Sequence, residues 1–509
     1  MADSKAAARR WLPRVLALAG GAALTFAFAP YGHFWLALLA PALLLALWGR
    51  APSARDGAWL GFCFGVGLYA VGTWWLYISI RGFGQAPVAV ALLVMGALVV
   101  MMAAWQALLG YVACRWLQPA SFGGRVLWVP AAWLLVEWLR GWFLSGFPWL
   151  SLGYSQTDSW LAGLAPVGGV YLLSLALLVS AGALLSLWWE RGTWRAAAMV
   201  ALVLPWTLGL GLRGVEWTQP GKARQVAILQ GAIPQDMKWQ ATNQRNILDT
   251  YARLHQQALG ADLIVWPESA LPDFANLLSG YVGSVWSAAR QAGSAVVMGI
   301  MRVDDSAGAD VEPLYFNSVL AMGEGEPAFY DKRHLVPFGE YFPVPAFVRQ
   351  WLRLMSLPYS DFTPGAREQP PLQLAGMSLA ASICYEDAYG TLLRPEIRAS
   401  DALVTVTNDA WFGRSGARYQ HLQIARMLAM QSRRPLLRAA NDGVSALIGP
   451  DGRVEVEAAE FAPAVLRGTL VPRTGDTPYL VAGNALALGL ALALLLLAAR
   501  AAGRVKRSS

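Results

Sequence analysis

Ala261-Asp262-Leu263-Ile264-Val265-Trp266-Pro267-Glu268 decides the reading of the polar half of this chain: it is a short apolar run that closes on a carboxylate. A run of this length bounded by turn-forming residues reads as a buried strand. Two further stretches repeat the pattern. Ser378 to Ile383 ends in Cys384-Tyr385-Glu386, and Ala402 to Thr407 ends in Asn408-Asp409. Polar groups at such strand ends converge on the rim of a sheet, where α/β enzymes keep their sites. Other apolar runs at 225–230, 295–300 and 318–322 alternate with helical patterns at 243–259, 280–292 and 419–431. Strands alternating with helices predict a layered α/β or α+β domain over 213–478.

The flanking sequence has a different character. The chain has 509 residues, 56% of them hydrophobic and only 14% charged, against about 25% charged in an ordinary soluble domain. Residues 1–212 hold 18 of the 24 tryptophans and few acids: Asp3, Asp56, Glu137, Asp158 and Glu190. Apolar runs recur at about 11–29, 34–49, 58–79, 87–112, 126–143, 163–187 and 196–212, and a last one lies at 479–499. Several reach the roughly 20 residues that cross a bilayer as a helix. The sequence thus predicts a polytopic bundle of about eight spans: seven in 1–212, then the polar domain 213–478, then a last span and tail in 479–509. Arg9, Arg10, Arg14, Arg50, Arg55, Arg115, Arg125, Arg191, Arg195 and the tail residues Arg500 to Arg507 fall on one side of these spans. The positive-inside rule then places both termini in the cytoplasm and 213–478 outside it. Ala27-Phe28-Ala29 resembles a signal-peptide cleavage site, but Pro30 follows at once and more spans follow it. An uncleaved anchor is the better reading. The net charge of +8 comes from scattered Arg, with no long basic run, so no nucleic-acid partner is implied.

Three positions carry the chemistry. Of the cysteines, Cys63 and Cys114 sit in apolar stretches and read as packing residues, whereas Cys384 stands in a polar context at a strand end. Three separated cysteines form neither a disulfide framework nor a zinc site. Only five of the 40 basic residues are Lys, and one of them is Lys332, within Tyr330-Asp331-Lys332-Arg333-His334. Lys is a compact donor with a tunable pKa, where Arg stays a charged fork. His334 or His421 could in principle activate Cys384, with a carboxylate base as the alternative. Nothing calls for a cofactor or metal: HExxH, the Walker loop and the Rossmann glycine pattern are all absent.

Together these segments resemble the nitrilase, or carbon–nitrogen hydrolase, superfamily with its Glu-Lys-Cys triad, and more closely the apolipoprotein N-acyltransferases. The resemblance covers nearly the whole chain. It rests on Phe147-Pro148-Trp149-Leu150 with Gly153-Tyr154-Ser155-Gln156, on Gln230-Gly231-Ala232-Ile233-Pro234-Gln235 leading to Lys238-Trp239, and on Trp266-Pro267-Glu268. It continues through Lys332 and Leu335-Val336-Pro337-Phe338-Gly339-Glu340, Cys384-Tyr385-Glu386, and Asn408-Asp409-Ala410-Trp411-Phe412-Gly413. Two positions depart from the family pattern: Arg418, near which it carries a proline, and Gln431, where it carries a glutamate. Neither is a triad position.

The resemblance implies a nitrilase-like αββα sandwich on a membrane bundle in the bacterial inner membrane, with the catalytic domain in the periplasm. It implies ping-pong transfer of an acyl chain from a phospholipid, typically phosphatidylethanolamine, to the N-terminal amine of a diacylglyceryl-cysteine lipoprotein. Cys384 would be the nucleophile and Glu268 its base. Lys332 and the Tyr385 N–H would meet the oxyanion, and Glu340 and Glu386 would orient Lys332 or assist the base. Trp239 and Trp149 are candidates for lining the lipid entry, although interface anchoring or loop packing is the stronger reading for Trp149. An apolar loop over the site is expected at 341–365, with Phe342, Phe347, Trp351, Leu354, Met355 and Leu357. Glu137, inside an apolar run and three residues before Arg140, reads as a structural pair. Two rivals are a membrane-anchored amidase or nitrilase acting on a small substrate, and a transporter with a binding domain. The second predicts symmetric repeats with charges at midplane, which the sequence lacks.

Overall fold

The computed structural model describes residues 2–306, 312–341 and 362–508. The apolar loop residues Phe342 to Leu357 lie outside them. The chain divides into two units, Met1–Glu216 with Phe412–Gln423 and Thr477–Ser509, and Trp217–Trp411 with Ile424–Asp476.

The first unit is helical. Val88–Leu117, Trp160–Trp189 and Gly192–Leu212 are each long and apolar enough to cross a membrane. Ala54–Gly72 and Trp75–Phe83 make a fourth if taken as one span bent by 51°. Trp11–Ala27, Leu36–Trp48 and Ala485–Arg500 are apolar but shorter. The expected run at 126–143 forms the helix Val129–Arg140, shorter than the run because a wider turn, Gly124–Trp128, precedes it. Small residues let these helices touch backbone to backbone. A Cβ on Gly61 would run into the Gln106 carbonyl, and one on Gly67 into the Leu18 carbonyl, so Ala54–Gly72 needs both as glycine to meet its neighbours on opposite faces. Glu137 and Arg140 serve the loop that follows their helix. Glu137 Oε1 accepts from the Leu152 N–H at 3.0 Å, and Arg140 donates to the carbonyls of Phe147 and Trp149 and to Ser151 Oγ.

The second unit is built on two six-stranded sheets with the same plan. One runs Ala464–Leu470, Arg224–Gln230, Leu263–Trp266, Ala295–Asp304, Leu314–Met322, Ala328–Asp331 from edge to edge. The other runs Val454–Glu457, Ala446–Ile448, Leu436–Ala440, Ala402–Thr407, Met377–Ile383, Leu372–Leu374. In each, the three strands from Arg224 to Asp304 or from Met377 to Ala440 are parallel, and antiparallel strands flank them. The inner faces share one core, in which Val226, Ile228 and Val265 meet Leu379, Val404 and Leu437. The outer face of the first sheet packs Ile264, Trp266 and Val296 against Ile247, Tyr251 and Leu254 of helix Gln244–Ala258 and Val285 of helix Ser279–Gln291. Helix Gly390–Arg398 packs on strand Met377–Ile383, burying Leu393 and Ile397. This is why the central strands read as continuous apolar runs: both faces are covered.

Candidate active site

Parallel strands put their carboxyl ends on one rim of a sheet, which places Glu268 and Cys384 each at such a rim. Ala328–Asp331, two antiparallel pairings from Ala295–Asp304, runs the same way and brings Lys332 to the rim of the first sheet. Glu268 lies two residues beyond Leu263–Trp266, Cys384 directly follows Met377–Ile383, and Lys332 directly follows Ala328–Asp331. Lys332 is buried. Its Nζ lies 2.9 Å from the Glu340 carboxylate and 3.7 Å from Glu268 Oε1. Asn317 Nδ2 bridges the two acids, donating to Glu268 Oε1 at 2.8 Å and to Glu340 Oε1 at 3.0 Å. Its carbonyl fixes the lysine from behind by accepting the Lys332 N–H at 2.8 Å. Burial pushes Lys332 down, but Glu340, Glu268 and the Cys384 sulfur outweigh it and hold the ammonium above the usual lysine range. It stays charged at any working pH.

Cys384 keeps a backbone φ of +53°, in the left-handed region where a side chain is strained. Such a turn presents a side chain at the rim instead of continuing the strand. Burial raises the thiol well above its ordinary value, Glu268 raises it further, and Lys332 pulls it back. The resting group is therefore a thiol, and a base must accept its proton. Burial pushes Glu386 up, and Lys332 with the neighbouring N–H groups opposes this. Glu386 accepts from the N–H groups of Arg333 (2.7 Å), His334 (3.1 Å) and Ile383 (2.8 Å) and from the Tyr330 hydroxyl (3.0 Å). It thereby ties the turn carrying Cys384 to the segment carrying Lys332.

The rings of His334 and His421 pack on other aromatic groups. The His334 ring packs on Tyr389, with centroids 3.8 Å apart, and His421 belongs to the first unit, beside Trp149 at 5.8 Å. Trp149 is buried in that first unit and donates to Gln420 Oε1 at 2.6 Å. Trp239 is partly exposed, its ring 5.5 Å from the Lys238 ammonium. Arg418 is buried and donates to the Ser415 carbonyl. Among the described residues no group of His, Cys, Asp and Glu is arranged to hold a metal ion.

The chain also matches known families and relatives. Residues 20–183 match the family model for the apolipoprotein N-acyltransferase N-terminal domain, and 225–479 match that for carbon–nitrogen hydrolase. A protein of Pseudomonas putida named apolipoprotein N-acyltransferase is 40% identical over 502 residues, 98% of either chain. One of the same name from Azotobacter vinelandii is 42% identical over 476 residues, 92% of this chain and 91% of its own. The chain belongs to the apolipoprotein N-acyltransferase family. A solved carbon–nitrogen hydrolase from Helicobacter pylori G27 aligns with 48% of this chain and 88% of its own, at 15% identity and a TM-score of 0.36.

Within this member of the apolipoprotein N-acyltransferase family, three site residues escaped the sequence reading. Asn317 has no local signal: it is one polar residue inside the strand Leu314–Met322. Arg438 sits in the buried strand Leu436–Ala440, between Asp409 at 2.8 Å and Asp387 at 3.4 Å. Lys238 is visible in the sequence only as part of the Lys238-Trp239 motif.

Proposed function

We propose that this chain is a membrane N-acyltransferase that moves a fatty acyl chain from a phospholipid to the N-terminal amine of a diacylglyceryl-cysteine lipoprotein, through a thioester on Cys384. The observation that carries the reading is the buried Glu268–Lys332–Glu340 cluster electrostatically coupled to a thiol on a left-handed strand-end turn. As the sulfur attacks the ester carbonyl, Glu268 takes its proton. The carbonyl oxygen becomes anionic and is met by the Lys332 ammonium and the Tyr385 N–H, each a donor typically worth about 2.7–4 kcal/mol of barrier. Collapse breaks the ester bond, and the lysophospholipid oxygen leaves with the proton from Glu268. In the second half the amine attacks the thioester and gives its proton to Glu268, which returns it to the departing sulfur. Splitting one transfer into two steps is what a covalent nucleophile achieves.

The membrane unit suits such substrates. Each methylene drawn from the bilayer into water costs about 0.8 kcal/mol, so an acyl chain is best handled beside the lipid. Eight spans, cytoplasmic termini, an inner-membrane location and a periplasmic second unit complete the proposal, with phosphatidylethanolamine as donor.

Intact-mass spectrometry of the protein incubated with phosphatidylethanolamine and no acceptor tests it. A hydroxylamine-labile acyl adduct on Cys384, lost in Cys384→Ala and discharged by a diacylglyceryl peptide, is the expected result. An adduct from a small amide but none from phospholipid would transfer the chain to the amidase class.

A further inference from the structure

Arg438 is a fully buried guanidinium to which the reaction sequence assigns no part. It lies in the strand Leu436–Ala440, in register with Thr405 and, one strand further, with Ser382. Their neighbours Leu437, Val404, Val406, Ala381 and Ile383 point into the core between the sheets. Side chains alternate along a strand, so Ser382, Thr405 and Arg438 make a polar row on the opposite face. The Ser382 and Thr405 hydroxyls satisfy each other at 2.8 Å. The guanidinium goes to two buried aspartates instead: Nη2 donates to Asp409 Oδ2 at 2.8 Å, and Nη1 lies 3.4 Å from Asp387 Oδ2.

Each aspartate belongs to a segment of the site. Asp409 stands two residues past the strand Ala402–Thr407, and the Thr407 hydroxyl donates to its other oxygen at 3.0 Å. Asp387 lies in the one-turn helix Cys384–Ala388, three residues after the nucleophile. Arg438 thus ties together the continuations of two neighbouring strands from its place on the third. Glu386 ties the same turn to the segment carrying Lys332, so the turn is held at two successive residues by different partners. Desolvating three charged groups can cost more than their mutual attraction returns, which makes stability alone a weak reason for the cluster. Geometry is a better one, because Cys384 keeps a left-handed φ of +53° and needs its turn fixed.

We propose that Arg438 is a positioning residue for acylation: by holding Asp387 and Asp409 on one guanidinium, it fixes the turn Cys384–Ala388 and so aims the Tyr385 N–H at the oxyanion. The inference rests on Cys384 being the nucleophile. Its signature is a split between two reactions of the same sulfur. Acyl transfer builds an oxyanion and needs that N–H in place. Alkylation by iodoacetamide displaces iodide at a saturated carbon and builds none.

Both rates are read by intact mass in the full-length protein: single-turnover acylation by phosphatidylethanolamine, and alkylation by iodoacetamide. Arg438→Lys keeps the charge but loses the planar fork that spans two carboxylates. It should slow acylation by roughly 10- to 100-fold and leave alkylation near the wild-type rate. Asp387→Asn should give the same split, and the double variant should lose no more than the worse single one. If Arg438→Lys does not fold, Asp387→Asn, which leaves no carboxylate unpaired, carries the test. Acylation at the wild-type rate in either variant, equal losses in both reactions, or losses that multiply in the double variant overturn the proposal; equal losses would make the cluster a support of the fold alone. A wild-type protein that takes no acyl group at all would instead remove Cys384 as the nucleophile.

Discussion

Glu268 and Glu386 are both buried carboxylates just past an apolar strand, and their surroundings treat them in opposite ways. Both oxygens of Glu386 are taken twice, by the N–H groups of Arg333 and His334 on one and by the Ile383 N–H and Tyr330 hydroxyl on the other. Glu268 accepts one hydrogen bond among the described residues, from Asn317, with Lys332 at 3.7 Å. A carboxylate saturated with donors holds chain segments together and gives up a bond to gain a proton. A carboxylate with so few donors on it keeps lone pairs open to a proton. Two glutamates that read alike in the sequence are thus separated by what points at them.

The largest effect should come from Glu268→Gln, which removes the base while keeping the shape. Acyl-enzyme formation should slow by about 10²–10⁴-fold, with the thermal midpoint little changed. A variant that acylates normally would erase the contrast with Glu386. Lys332→Met should cost about 10²–10³-fold in the same single-turnover assay, and Lys332→Arg should not rescue it, since a guanidinium fork does not fit between Glu340, Glu268 and the sulfur. Glu386→Gln should act on the fold: an amide turns an NH₂ towards donors, and denaturation in detergent should show a loss of about 3 kcal/mol. If Glu386→Gln instead leaves stability intact and abolishes acylation, Glu386 belongs with Glu268. The smallest effect concerns the thiol itself. Ionised Glu268 raises Cys384 and Lys332 lowers it, so Glu268→Gln should ionise at lower pH and alkylate faster with iodoacetamide near neutrality, although it acylates more slowly. Lys332→Met should move the alkylation profile the other way.

Much of the second unit could be read from the chain. Leu263–Trp266 and Ala402–Thr407 have the expected boundaries, and Ser378–Ile383 gains one residue. Two-faced burial writes itself as an unbroken apolar run. Leu436–Ala440 escaped because Arg438 interrupts it, and only the fold supplies the aspartates that make a buried arginine tolerable. Asn317 escaped for a related reason: its importance lies in partners 49 and 23 residues away. Cys384 and Lys332 were conspicuous by composition, one by its polar context and the other by the scarcity of lysine. In the first unit, hydropathy marks where the apolar runs lie but not where each helix breaks, because a bend after Gly72 leaves the composition unchanged.

The assignment of Phe412–Gln423 to the helical unit has a consequence for how the protein is made. The ribosome releases Met1–Glu216 first, then nearly two hundred residues of the other unit, and only afterwards the short insert and the closing stretch from Thr477. The helical unit is therefore complete only once Thr477–Ser509 has been made. Cutting the gene at 216 and 477 would yield three products, two helical ones lacking Phe412–Gln423 and a middle one carrying it as an orphan, so separately expressed pieces should complement only where that insert can rejoin its own unit.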